Sequence, residues 1–189
     1  TREAYPEDWA MTQNNMGLAY NNRIKGERAD NLEIAIAASE LALEVYTREA
    51  FPKDWAMTQS NLGNAYSNRI KGERADNLEQ AIAAYQLALE VKTREAFPKD
   101  WAMTQNNLGI AYKNRIKGER ADNLEMAIAA YELALEVKTR EAFPQNHVET
   151  LFNLGLAYQK QSQHYTHDPK KKPKALENAY NTFDRALDT

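Results

Sequence analysis

One stretch constrains the fold more than any other. Residues 93–138, TREAFPKDWAMTQNNLGIAYKNRIKGERADNLEMAIAAYELALEVK, form a unit of 46 residues, and the 46 residues before it differ at only five positions. Residues 1–46 are a looser copy, and residues 139–189 are a degenerate fourth one, stretched by six residues near its middle. A fixed period between about 20 and 50 residues marks a stacked array, in which each unit buries its apolar face against its neighbours. The expected domain is therefore one array spanning residues 1–189, with repeats near 1–46, 47–92, 93–138 and 139–189. Residues 1–6 match 47–52 except for Tyr5 in place of Phe51, and Thr189 falls where Val137 stands in the third copy. Both ends cut the repeat register, so the sequence reads as a piece of a longer array.

Each copy reads as two helices. The first opens at Pro6, Pro52, Pro98 or Pro144, because proline's missing N–H has no helical partner in the first turn. Asp8, Asp54 and Asp100 place negative charge at that positive end. The preceding aromatics (Tyr5, Phe51, Phe97, Phe143) suit a hydrophobic staple. In the third copy the buried stripe is read as Trp101, Leu108, Ala111, Tyr112 and Ile116. Gly17, Gly63, Gly109 and Gly155 recur inside this helix, where glycine costs about 1 kcal/mol relative to alanine, so a close neighbouring helix is expected there. Gly26, Gly72 and Gly118 are read as helix stops. The second helix is expected to open at Asp30, Asp76 and Asp122, each followed three residues on by Glu33, Glu79 or Glu125, the spacing of a capping box. Its inward stripe is Leu124, Ala127, Ile128, Tyr131, Ala134 and Leu135. The helix is then expected to run on through Lys138 to Glu141. In the fourth copy a basic loop from Tyr165 to Lys174 precedes a helix resuming at Ala175, with Ala179, Tyr180, Phe183, Ala186 and Leu187 inward.

Composition excludes several functions. A net charge of −3 with acids and bases interspersed argues against a nucleic-acid or anionic-membrane surface. There is no cysteine, which removes disulfide scaffolds and thiolate metal sites. No apolar run approaches the ~20 residues that span a bilayer, and a cytoplasmic setting is expected. The carboxylates sit at helix starts and surfaces without a convergent pair, and all three histidines fall in the fourth copy. No enzyme activity and no cofactor are expected. His164, His167 and Asp168 offer two imidazoles and a carboxylate, but flanking lysines repel a cation, so no metal site is expected. Trp9, Trp55 and Trp101 are read as inter-repeat core rather than as a ligand platform.

The runs Leu108-Gly109-x-Ala111-Tyr112 and Ala127-Ile128-x-x-Tyr131-x-x-Ala134-Leu135 resemble the tetratricopeptide repeat. That unit usually has about 34 residues; the extra length here lies after Tyr112 and after Leu135. The run Thr104-Gln105-Asn106-Asn107-Leu108 resembles the longer repeats of kinesin light chain, and those of bacterial arrays that often sit beside a caspase-like CHAT peptidase domain. The resemblance implies an all-α, right-handed superhelical solenoid of four helix pairs. It implies a protein-interaction scaffold that binds an extended peptide or protein segment in a concave groove lined by the first helices. In asparagine-rich members, amides grip the ligand backbone. The matching positions are Asn15, Asn61, Asn107 and Asn153, with Asn22, Asn68 and Asn114 two turns further on. An amide carries donors and an acceptor and can pair with any extended chain. The same amides can instead satisfy neighbouring helices, and both roles can hold.

The five differences between copies two and three add a second candidate surface. Three of them, Ser60/Asn106, Asn64/Ile110 and Ser67/Lys113, share one face of the first helix. Copy one has Asn14, Leu18 and Asn21 there, and copy four has Phe152, Leu156 and Gln159. This stripe reads either as a specificity surface or as a face free to drift. The alternative function is a spacer or self-assembly module, stacking head to tail through exposed terminal repeats.

Overall fold

In the computed structural model residues 1–166 and 168–187 are described. Among them the chain is all-helical, with eight helices in four pairs and no strand: α1 (Pro6–Asn21) with α2 (Arg28–Leu43), α3 (Pro52–Asn68) with α4 (Arg74–Leu89), α5 (Pro98–Asn114) with α6 (Arg120–Leu135), and α7 (Pro144–His164) with α8 (Lys171–Leu187). This is the expected architecture of helix–turn–helix repeats. The contacts divide it into two compact units, Thr1–Thr93 and Arg94–Thr189.

In the first unit, Ala35 and Ile36 of α2 bury against Leu62 and Ala65 of α3, with Tyr20, Leu43 and Tyr66 closing the sides. A second cluster joins Ala10, Ala42 and Tyr46 to Trp9, Val45, Phe51 and Trp55. Trp9 and Trp55 are thus half-buried core, each with an arginine (Arg2, Arg48) over its ring. In the second unit Leu124, Ala127, Tyr131 and Ala134 of α6 and Leu151, Leu154 and Ala157 of α7 are buried, and α6 packs on α7 as α2 does on α3.

The first helices start at their prolines, as read, each with the preceding aromatic as N-cap residue. The in-helix glycines answer to close packing. A Cβ on Gly17 would lie 2.7 Å from Ser39 Oγ; on Gly63, 2.6 Å from the Tyr85 ring; on Gly109, 2.7 Å from the Tyr131 ring; and on Gly155, 2.5 Å from the Phe183 ring. One aromatic of each later second helix therefore packs closely against its own first helix.

Five expectations need correction. The second helices begin at Arg28, Arg74 and Arg120, two residues before the aspartates, with no side-chain cap. Glu33 does not close a capping box; Arg69 grips it through two hydrogen bonds of 2.9 and 2.7 Å, and Asp30 pairs with Lys71. The start is fixed from behind instead. Arg28, Arg74 and Arg120 donate to the carbonyls of Asn21, Ser67 and Lys113 at the end of the preceding helix. Asn31, Asn77 and Asn123, all buried, donate to the carbonyls of Lys25, Lys71 and Lys117, each at 2.9 Å.

Secondly, the first helices end at Asn21, Asn68 and Asn114. Gly26, Gly72 and Gly118 do take positive φ (83°, 77° and 79°), but inside the clamped loop beyond. Thirdly, Ile116 lies past the end of α5 and is 61% exposed, so it is no part of the buried stripe. Fourthly, α6 stops at Leu135, and residues 136–142 form turns in which Thr139 accepts from the Ala142 N–H. Fifthly, the basic loop of the fourth copy is shorter than read. α7 runs to His164, α8 starts at Lys171, and Asp168 caps it by accepting from the Lys170 and Lys171 N–H groups at 2.9 and 2.8 Å. On α8, Ala175 and Ala179 are buried, whereas Tyr180 and Leu187 face outward. His167 lies outside the described residues.

Candidate binding face of the first helices

In the first unit the expected asparagines fall into two groups. Asn15, Asn22 and Asn68 are exposed, and Asn61 is half-buried. Asn61 is tied to its neighbour: Asn14, buried on α1, accepts from Asn61 Nδ2 at 3.0 Å and from Thr58 Oγ1 at 3.1 Å. One amide thus links α1 to α3.

The variable stripe of α3 is also engaged. Buried Ser60 donates to the Ala56 carbonyl at 3.2 Å and accepts from the buried ammonium of Lys92 at 2.8 Å. Half-buried Asn64 accepts from the Tyr85 hydroxyl at 2.7 Å, and Ser67 is hydrogen-bonded to the same tyrosine. Burial pushes the Tyr85 phenol well above its ordinary range, so it remains a neutral donor. Gly63, Tyr85, Asn64 and Ser67 thus form a closed polar arrangement between α3 and α4.

The second unit carries the same frame with different chemistry. Asn114 is exposed, while Asn107, Asn153 and Ile110 are half-buried. Asn106 and Lys113 are buried. Tyr131 lies on Gly109 as Tyr85 lies on Gly63. Ile110 replaces the asparagine that Tyr85 used, and the buried Tyr131 hydroxyl has no protein partner. Lys113 Nζ lies 5.8 Å from the centre of the Tyr131 ring and donates to Asn153 Oδ1 on α7 at 3.1 Å. Burial, with a smaller contribution from the Lys160 charge, lowers the Lys113 ammonium to about 8. Asn106 Oδ1 is buried without a partner. Lys138, also buried, reaches Thr150 Oγ1 at 3.4 Å, and burial lowers its pKa as well. In the fourth copy Phe183 replaces the tyrosine and packs against Phe152 at 5.7 Å between centroids.

The sequence reading missed two features. One is the set of loop clamps, Arg28/Arg74/Arg120 and Asn31/Asn77/Asn123; the repetition of Arg-Ala-Asp-Asn in three copies was the available signal. The other is a cleft of about 430 Å³ among α6, α7 and α8, lined by Glu132, Tyr158, Asn178, Asn181 and Arg185 among others. There Tyr158 donates to Glu132 at 2.8 Å, as Tyr66 donates to Glu40 at 2.8 Å in the first unit.

Residues 55–94 and 101–149 match the family model of the tetratricopeptide repeat. These stretches carry tetratricopeptide repeats. No curated protein matches the chain. Tetratricopeptide repeats generally mediate protein–protein interaction, and the described residues hold no helix long and apolar enough to cross a membrane.

Proposed function

We propose that this tetratricopeptide array is an interaction scaffold that holds an extended peptide or protein segment against the first helices of its repeats. The observation that carries this reading is the distribution of differences between copies two and three. Loop clamps, in-helix glycines and second-helix cores are kept, while three of the five changes sit on one stripe of the first helix. Beside that stripe the exposed or half-buried amides of Asn15, Asn61, Asn68, Asn107, Asn114 and Asn153 offer donors and acceptors to a ligand backbone. Backbone pairing gives sequence-tolerant affinity, and Ser60/Asn106, Asn64/Ile110 and Ser67/Lys113 supply selectivity, directly or by setting the charge of the face.

The test is a peptide array probed with the chain and with Asn61→Ala/Asn107→Ala, alongside thermal melts. A folded double variant that loses the ligands supports the reading. Undiminished binding by that variant moves recognition to another surface.

One observation favours a second reading, self-assembly. α8 leaves Leu176, Tyr180 and Leu187 exposed on one face at spacings of 4 and 7, whereas Leu32 and Ile36 of α2, equivalent to Leu176 and Tyr180, are buried. Head-to-tail stacking on α8 of a second copy would give mass that grows with concentration and is abolished by Leu176→Lys/Tyr180→Lys. A monomer at every concentration rejects it.

A further inference from the structure

Lys138, just after α6, is a buried cation without a close counter-charge. Its side chain is 6% exposed. An ammonium has three protons to donate, and the protein gives this one a single neutral acceptor, Thr150 Oγ1, at 3.4 Å. That hydroxyl donates its own proton to the Asn146 carbonyl at 2.7 Å. Burial lowers the Lys138 pKa, and only the charge of the exposed Glu149 opposes this, more weakly. The repeat shows what has changed. Asp8, Asp54 and Asp100 hold one position of the first helix, and copy four has Asn146 there. In the first unit Tyr46 stands where Lys138 does, and burial, then the charge of Asp54, raise its phenol. The carboxylate that bears on this position in the first unit is therefore an amide beside Lys138. Lys138 also lines a cavity of about 40 Å³ with Lys99, Met103, Phe143 and Asn146. That is room for about three water-sized groups. The lining holds a second ammonium and no carboxylate, so it suits an anion better than a cation.

We propose that Lys138 is a carbamylation site, whose Nζ adds carbon dioxide to form a carbamate held by Lys99 and Asn146. Burial favours the neutral amine, which is the nucleophile. The ammonium first gives one proton to water. The Nζ lone pair then attacks the carbon of carbon dioxide, an N–C bond forms, and one C–O π pair moves onto oxygen. Nζ releases a second proton to water. An ammonium and one carbon dioxide thus give a carbamate anion and two protons, with nothing oxidised or reduced. Carbon dioxide is small and uncharged, so its entry past Met103 and Phe143 carries no cost of burying an ion. The carbamate oxygens accept from the Lys99 ammonium and the Asn146 amide, and the remaining Nζ–H donates to Thr150 Oγ1. A buried cation without a close partner is exchanged for an anion with two donors.

The test uses the full chain carrying lysine labelled with ¹⁵N at Nζ, equilibrated with ¹³C-bicarbonate as the source of dissolved carbon dioxide in mildly alkaline buffer. NMR reads the ¹³C–¹⁵N coupling that only a new N–C bond gives. The expected result is one coupled carbamate signal that is absent in Lys138→Met and weaker in Lys99→Met. In Asn146→Asp the signal should fall about tenfold or more, because the carboxylate then holds the ammonium. Position 146 is exposed, and three copies already carry aspartate there, so that variant keeps the fold, as its melt checks. Absence of any coupled signal in the parent chain overturns the proposal. A signal that survives Lys138→Met assigns the reaction to Lys113 or a surface lysine and overturns it too, as does a signal undiminished in Asn146→Asp. A shifted but uncoupled ¹³C signal means a bound bicarbonate ion only and likewise rejects the carbamate.

Discussion

Copies two and three are the same repeat with five changes, and they differ most where the first helix faces its own tyrosine. In copy two a glycine admits the Tyr85 ring, and Asn64 takes its hydroxyl proton. In copy three the glycine and the ring are kept, the asparagine is an isoleucine, and a buried lysine has entered beside it. The backbone frame does not need the polar partner, because packing on Gly63 or Gly109 already places the ring. The frame therefore leaves the stripe free to vary. The glycine, leucine and alanine of the packed helix are kept, and the buried or half-buried positions 60, 64 and 67, or 106, 110 and 113, beside them change.

The largest effect should come from the part the two copies share. Gly63→Val and Gly109→Val each force a β-branched side chain into an aromatic ring whose atoms lie within 3.0 Å of a Cβ. Each should cost about 3 kcal/mol, read as a fall in the urea midpoint. A markedly smaller loss at one site would mean that the ring there moves aside easily, and the common frame would fail.

Next come substitutions that should act oppositely in the two copies. Tyr85→Phe removes a made hydrogen bond and strands Asn64, at a cost of about 1–2 kcal/mol. Tyr131→Phe removes a hydroxyl with no protein partner and should be neutral or stabilising by up to ~1 kcal/mol. Equal losses would break the comparison. Grafting copy two onto copy three, as Ile110→Asn/Lys113→Ser, gives Tyr131 a partner and removes a buried charge, and should raise stability by about 1–2 kcal/mol.

A further effect is one of pH. Lys113 titrates near 8 in the folded chain, lowered by burial from its ordinary 10.5. Between those values the unfolded chain holds more protons, so stability rises as pH climbs from about 8 towards 10.5. Below 8 the full cost of the buried charge is present. Lys113→Met should therefore stabilise the chain most at pH 7, with the gain fading by pH 10. A gain that does not change with pH would mean that the ammonium is solvated in the fold.

Much of the frame was legible because it rests on local chemistry that repeats. Proline in the first turn set four helix starts, and glycine inside a helix signalled a neighbour pressed against it. The loops were not legible, because their anchors act at a distance. Arg28 reaches back seven residues to a carbonyl and Asn31 reaches back six, whereas the Asp30/Glu33 spacing that suggested a cap faces outward and pairs with Lys71 and Arg69 of the next repeat. The outward turn of Tyr180 and Leu187 was hidden for a similar reason: the helical period of α8 marks an apolar face without saying whether another helix covers it. An asparagine amide has the same chemistry whether it meets a ligand or a neighbouring helix. Asn61 sits beside the variable stripe and also donates to Asn14, a division of labour that spacing alone does not show.

The most direct test of the account compares the peptide arrays bound by the parent chain and by Ile110→Asn/Lys113→Ser. That variant gives copy three the residues of copy two at two of the three stripe positions while leaving every glycine and loop clamp in place. The account predicts a melting temperature at or above the parent's and a changed ligand set. An unchanged ligand set on an equally stable fold would contradict it, and the stripe would then be a face free to drift.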